Sequence, residues 1–320
     1  MSAHAPQSPL REGIEYAGYR AGISLLRRLP DGVAYGMGSA AARGAYALGM
    51  RRAVTLANLR IAFPDLPEAR RRGIALQSYR HLAWNAVDAL RALHCSEAEL
   101  AQRFEILGRE HYDAAHARGH GVLVLVPHLG SFELALVALA LVGVRIAVVA
   151  RPFSNRRVSE DFEALRTRTG AELLPHRGAA PRILETLREG RAVVVVNDQY
   201  TRRGRGIFSP FLGVRACTSP GPATLSLRSG APVVPLYTVR LSRNRHRAIC
   251  LPPIAPQPTA ERAVDIQSAT DSFNEVLTNI IRQHPEQWMW GHRRFRHSPD
   301  LSESPYSPRS PFWRPEVDSS

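Results

Sequence analysis

The side chains in this sequence best suited to activating a hydroxyl are His128 and Glu133, in the segment His128-Leu-Gly-Ser-Phe-Glu133. A carboxylate bonded to one imidazole nitrogen fixes the ring's tautomer and favours the imidazolium, which leaves the other nitrogen to act as a base. Within one helix a five-residue separation places two side chains about 140° apart. The two groups therefore meet only if His128 precedes the helix and Glu133 sits in its first turn. Gly130 and Ser131 favour that arrangement, one through a tight turn and the other as an N-cap. The spacing alone selects nothing, because His94 and Glu99 share it in a polar connecting segment with no strand before it. His128 differs in its setting: the apolar run 121–126 ahead of it reads as a strand, and open α/β sheets keep their binding crevice at the carboxyl ends of strands. A histidine satisfied inside the core is the plain alternative.

Other polar groups fall at equivalent places. Arg151 and Asn155 follow a second β-branched run, and Asn197, Asp198 and Gln199 follow a third, so all of them can face the crevice of His128. The loop 202–213 combines Arg202, Arg203 and Arg205 with Phe208 and Phe211, and ends on Gly213. Such a surface suits a phosphate and an acyl chain together. Taken singly, each has a structural reading as well: Asp198 as a cap of the next turn, the arginines as a solvated face.

These residues need elements to hold them. At 320 residues with 44% hydrophobic and 22% charged residues, the chain is that of a folded, enzyme-sized protein. Residues 13–50 show helical periodicity interrupted at Leu29-Pro-Asp-Gly32, and a further helix is expected from about 68 to 93. The first hundred residues thus read as a helical region. Beyond about residue 104, apolar runs at 121–126, 145–149, 192–196 and 233–239 alternate with helical stretches at 134–142, 158–169, 182–189 and 223–229. Runs without polar alternation imply strands covered on both faces. The expected fold is therefore α/β, a mixed and mainly parallel sheet covered by helices, in a domain spanning 101–296. The Ser- and Pro-rich tail 297–320 is expected to be disordered.

All 42 basic residues are arginine, and the net charge of +14 attracts phosphate and anionic headgroups. Nucleic acid would satisfy the same charge, but the aromatic residues form no recognisable nucleic-acid module. Three widely spaced cysteines, Cys95, Cys217 and Cys250, suit neither a disulfide framework nor a thiolate zinc site. The first ten residues carry no secretion signal, and no window approaches the roughly 18–20 apolar residues of a spanning helix. Any contact with a membrane is expected to be along its surface. Among other chemistries, a serine hydrolase lacks its Gly-x-Ser-x-Gly elbow. The histidines His111, His116 and His120, or His292 and His297, lack carboxylates at metal-ligand spacing, so no metal is expected.

Together, and in this order, the segments Asn58-Leu-Arg-Ile-Ala-Phe-Pro64, His128-x4-Glu133, Arg151-Pro-x-x-Asn155, Asp198-Gln199, Gly206-Ile-Phe-x-Pro-Phe-x-Gly213 with Ala216 and Thr218, and Pro285-Glu-Gln-Trp-Met-Trp-x-His-Arg-Arg-Phe295 resemble the lipid A biosynthesis late acyltransferase family over about residues 13–296. The resemblance implies a glycerolipid-acyltransferase-like fold with residues 1–100 associating with the cytoplasmic face of the inner membrane. It implies transfer of a fatty acyl chain from a thioester, commonly on acyl carrier protein, to a hydroxyl of a lipid A precursor or related glycolipid, with no further cofactor. His128 is then the general base and Glu133 its orienting carboxylate. Arg151, Asn155, Asp198, Gln199, Arg205, Phe211, Gly213 and Thr218 are then expected to bind substrate. Tyr200 departs from the pattern, because many relatives carry a second acidic residue there. A related acyltransferase with a mannosylated phosphoinositide as acceptor is the nearer alternative, and a basic protein that binds anionic surfaces or nucleic acid without catalysis the more distant one.

Overall fold

The computed structural model describes residues 9–150, 154–168, 170–175, 178–255 and 258–313. Helices α1 (Pro9–Arg28), α2 (Asp31–Ala47), α3 (Arg52–Ala62) and α4 (Glu68–Ala92) fill the first part. The first break falls at the expected turn, where Pro30 precedes α2; Gly49 adopts a φ of 75° before α3, and Pro67 precedes α4. A short α5 (Glu97–Ala101) starts with a capping box between Ser96 and Glu99. That box explains the second His-x4-Glu spacing, since Glu99 serves the Ser96 cap.

Then come β1 (Phe104–Leu107), α6 (Arg109–His116), β2 (Val122–Val126), α7 (Phe132–Leu141), β3 (Ile146–Ala150), α8 (Arg156–Thr167), β4 (Glu172–Pro175), α9 (Ala180–Arg188) and β5 (Ala192–Val196). After a hairpin of β6 (Ile207–Phe211) and β7 (Val214–Thr218), the chain continues through α10 (Gly221–Ser229), β8 (Val233–Ser242), β9 (Arg245–Cys250) and α11 (Arg262–Gln283). The main sheet has the order β1-β9-β8-β2-β5-β3-β4, parallel except where β8 and β9 pair as an antiparallel hairpin. The four strands and seven helices read from the sequence are all present, to within a few residues. Helices α3, α5, α6 and α11 and strands β1, β4, β6, β7 and β9 enter only with the structure.

Successive side chains of β2 point to opposite faces. Leu123 and Leu125 enter one core layer, under α9, α10 and α11 through Leu187, Ala223, Phe273 and Leu277. Val122, Val124 and Val126 enter the other, under α6 and α7 through Ala115, Ala135 and Leu139. Burial on both faces explains why β2 and β5 read as unbroken Val and Leu runs. No helix among the described residues is long and apolar enough to cross a membrane.

One expectation is corrected. The tail from 297 packs against the body as far as Trp313, with residues 314–320 outside the described part. Tyr306 is buried; its hydroxyl donates to Asn58 Oδ1 at 2.6 Å and accepts from the Phe295 amide at 2.9 Å. Arg60 donates to the Phe312 carbonyl at 2.5 Å. Asn58 also donates to the carbonyls of Trp290 and His292, each at 2.7 Å. The segment 58–64 therefore binds the chain's last third to α3. A Ser- and Pro-rich composition does not prevent order when one aromatic residue finds a buried polar socket. Tyr306→Phe removes a hydroxyl that serves two buried groups. Its expected cost is about 1–3 kcal/mol, read as a melting temperature lowered by several degrees in thermal unfolding.

Candidate active site

Strands β2 and β5 are neighbours, and their last residues Val126 and Val196 are in register. His128 and Asp198 each lie two residues past those ends, so the sheet's parallel pairing brings them side by side at its carboxyl edge. Asp198 Oδ1 accepts from His128 Nδ1 at 2.7 Å, and Oδ2 accepts from the His128 backbone N–H at 2.7 Å. Trp288 Nε1 donates to the same Oδ2, again at 2.7 Å. The carboxylate is 1% exposed. Burial pushes its pKa up, but the His128 charge and these three donors outweigh that and hold it at about 2. On His128 burial disfavours the imidazolium, while the field and hydrogen bond of Asp198 and the more distant charge of Glu133 favour it more strongly; its pKa ends above the ordinary histidine value.

An ionised Asp198 accepting at Nδ1 requires the proton on that nitrogen in the neutral ring, which leaves Nε2 with the lone pair. The Gln199 amide nitrogen is 3.4 and 3.3 Å from Nδ1 and Nε2, nearly equidistant, so it does not lie along the Nε2 lone pair. Phe132 meets the ring edge-on, with centroids 4.9 Å apart. Behind the site, Arg294 is fully buried and donates to the carbonyls of Gln199 and Cys217 and to Thr218 Oγ1. Burial lowers its pKa to about 10, so it remains a cation near Asp198.

The loop carrying His128 is clamped on all sides. Leu129 forms an antiparallel bridge with Trp288, the His128 carbonyl accepts from the Met289 amide at 3.1 Å, and Thr238 Oγ1 donates to the Leu129 carbonyl at 3.2 Å. Gly130 has a φ of 58°, and a Cβ there would lie 2.0 Å from the Thr238 carbonyl oxygen. Only glycine fits.

A small recess beside His128, walled by Phe132, Asn85 and Trp288, shares Ser78, Leu82 and Met289 with a larger groove of about 530 Å³ between α2 and α4. Ala41, Ala45, Ala83 and Ala86 form much of the groove's apolar wall. His292 also lines it and stays neutral, burial lowering its pKa to about 4. His128 thus presents its Nε2 in a recess that borders an apolar groove. Among the described residues no cluster of histidine, cysteine or carboxylate is placed to hold a metal.

The profile of the bacterial lipid A biosynthesis acyltransferase family matches residues 7–297. The chain belongs to that family. It is 27% identical to the lipid A biosynthesis lauroyltransferase of Escherichia coli, over 88% of this chain and 91% of that one. It is likewise 27% identical to the Escherichia coli palmitoleoyltransferase, over 80% and 82% of the two chains. A phosphatidylinositol mannoside acyltransferase of Mycolicibacterium smegmatis is 27% identical over 72% of this chain and 76% of its own. The protein is an acyltransferase.

Within this acyltransferase the expected orienting contact is corrected. Glu133 stands in the first turn of α7, as expected, but makes no hydrogen bond to His128; both its oxygens are held by Arg166 of α8, at 2.7–3.0 Å. The guanidinium fork matches a carboxylate in two-pronged fashion, which outcompetes a single imidazole N–H. Asp198, expected to bind substrate, takes the orienting role. Ser131 occupies the N-cap position without a side-chain cap bond.

Several other expected binding residues prove to be supports. Asn155 caps α8 through the Val158 amide and donates to the Glu12 carbonyl of α1. Phe211 is buried against Trp288, with Arg294 stacked over its ring at 4.4 Å. Gly213 turns the β6–β7 hairpin at a φ of 100°, and Thr218 is buried between Asn274 and Arg294. Arg205 is exposed on the preceding loop, while Arg151 lies outside the described residues. Sequence reasoning missed Trp288, Arg294 and Asn85 as parts of the site. For the first two the signal was the 285–295 motif, whose indole and guanidinium donors had no assigned acceptors.

With its pKa raised, the stabilisation His128 draws from Asp198 is present below about pH 6.5 and is lost as pH rises through the higher folded value. Asp198→Asn removes the carboxylate's field, so the His128 titration followed by NMR is expected to move to lower pH. An unmoved titration would show that Asp198 is not the controlling charge.

Proposed function

We propose that this protein transfers a fatty acyl chain from a thioester, carried by acyl carrier protein, to a hydroxyl of a lipid A precursor, with His128 as general base. The observation that carries the reading is the buried Asp198–His128 pair opening beside the apolar groove. The acceptor hydroxyl gives its proton to His128 Nε2 as its oxygen attacks the thioester carbonyl carbon. The tetrahedral intermediate collapses with loss of the thiolate, which takes the proton back from the imidazolium. No acyl-enzyme is needed.

Asp198 holds the tautomer by contact. Glu133 adds a negative charge near the ring without touching it, and Arg166 keeps that carboxylate in place. Arg151, next in sequence after β3, is read on grounds of charge as binding a phosphate of the acceptor or polarising the thioester oxygen. The groove between α2 and α4 takes the acyl chain, and its volume falls within the range of lipid and small-molecule sites.

The same helical region supports surface attachment to the inner membrane. Ile14, Leu25, Met37, Leu48 and Met50 are exposed apolar residues of this part of the chain, where Arg20, Arg27, Arg43, Arg51 and Arg52 also lie. Apolar residues with arginines beside them suit a helix lying at an anionic headgroup layer. The likeness to a phosphatidylinositol mannoside acyltransferase supports a second acceptor class, a mannosylated phosphoinositide, for the same chemistry.

Mass spectrometry of total lipids from cells with and without the gene separates the two. Loss of one acyl chain from lipid A is expected; loss from a phosphoinositide mannoside selects the other acceptor, and no mass change in any lipid overturns the reading. In the purified enzyme His128→Ala is expected to lower kcat by about 10²–10⁴-fold while leaving thioester binding intact.

A further inference from the structure

Asn85 lies on α4, in the helical region whose expected role is membrane attachment, yet its side chain reaches the loop that carries His128. Its amide donates to the Gly130 carbonyl at 2.5 Å. Its Oδ1 accepts from Arg240 Nη2 at 2.6 Å. Because a guanidinium has only donors, Arg240 fixes which end of the Asn85 amide faces it, and the NH₂ must then face Gly130.

Arg240, on β8, is in turn immobilised. Its side chain is 1% exposed and paired with Asp88, which lies three residues after Asn85 on the same face of α4 and is 0% exposed. Tyr35 of α2 donates to the other oxygen of Asp88. Arg240 Nη1 donates to the Arg243 carbonyl at 2.5 Å, and its backbone N–H donates to Gln287 Oε1 at 2.8 Å. The Gln287 carbonyl accepts from the Gly130 amide at 3.0 Å. Both backbone polar groups of Gly130 thus end on one buried network that joins α2, α4, β8 and the turn at Pro285–Gln287.

A fully buried ion pair is a poor device for stability alone, since apolar residues of similar volume commonly serve as well or better. What it provides here is a fixed direction for one amide. We propose that Asn85 is a positioning residue for His128, held in register by the Arg240–Asp88 pair, so that the helical region helps to build the active site. The proposal takes His128 to be the catalytic base, as in the acyl-transfer reading.

The test uses the full chain as Asn85→Ala and Asn85→Asp. The second keeps an acceptor for Arg240 but turns a carboxylate oxygen toward the Gly130 carbonyl. Three quantities are read: kcat and KM for the acyl thioester, hydrogen–deuterium exchange of the peptide spanning residues 127–132, and melting temperature. In both variants kcat is expected to fall about tenfold or more, as small misplacements of a catalytic group do, with KM within about twofold. Exchange should quicken most in that peptide, with the rest of the chain close to wild type and the melting temperature lowered by no more than the few degrees that lost buried hydrogen bonds cost. Unchanged kcat per folded molecule, or exchange rising throughout the chain along with lost melting temperature, overturns the positioning role. If either variant fails to fold, the same readings on the other decide. If the wild type itself transfers no acyl group, the acyl-transfer reading fails, whereas the exchange measurement still reports whether Asn85 holds the loop.

Discussion

A carboxylate with almost no exposure sits at the end of the sheet, and the site is organised around keeping it charged. Taking an ion out of water costs several kcal/mol unless its lone pairs are filled. Asp198 receives three donors at 2.7 Å: one from the His128 ring, one from the His128 backbone and one from Trp288. Two of the three come from His128 itself, so ring and loop are held by the same acceptor. The third requires the 285–295 segment to cross beneath the sheet edge, and that is where Asn58 and Ser78 bind it through the carbonyls of Trp290, His292 and Trp288. The demand of one buried charge accounts for much of how the chain's last third is routed.

Glu133 illustrates how competition decides a partner. At the start of α7 it has both a histidine and an arginine within electrostatic range. Arg166 wins by offering a planar pair of N–H groups to both carboxylate oxygens. The charge of Glu133 still reaches His128 through space and adds to the bias toward imidazolium. Two carboxylates thus act on one imidazole, Asp198 by contact and Glu133 by field.

The helical region and the α/β layer do not behave as anchor and enzyme. Helix α4 supplies Ser78, Leu82 and Asn85 to the recess at His128, α2 forms the far wall of the groove, and α3 holds the returning chain through Asn58. The groove between α2 and α4 shares Ser78, Leu82 and Met289 with the recess at His128 because α4 packs against the carboxyl edge of the sheet. Any movement of α4 would be felt by the loop after β2 through Asn85.

The sequence alone made the layered α/β class legible, because short β-branched runs at 122–126 and 192–196, alternating with longer helical stretches, read as strands covered by helices. It also singled out His128, since a histidine just past such a run stands at the edge where sheets bind ligands. It placed Asp198 at the matching offset from its own strand. Which two strands lie side by side, however, is a tertiary fact: β2 and β5 are neighbours although α7, β3, α8, β4 and α9 lie between them in the chain. Local spacing therefore favoured Glu133, five positions away, over Asp198, seventy positions away and 2.7 Å distant. The same blindness hid Trp288, Arg294 and Asn85, whose roles depend on what the folded chain sets opposite them. Periodicity reports burial along one element; the choice of partner for a buried polar group is made by the packing of several.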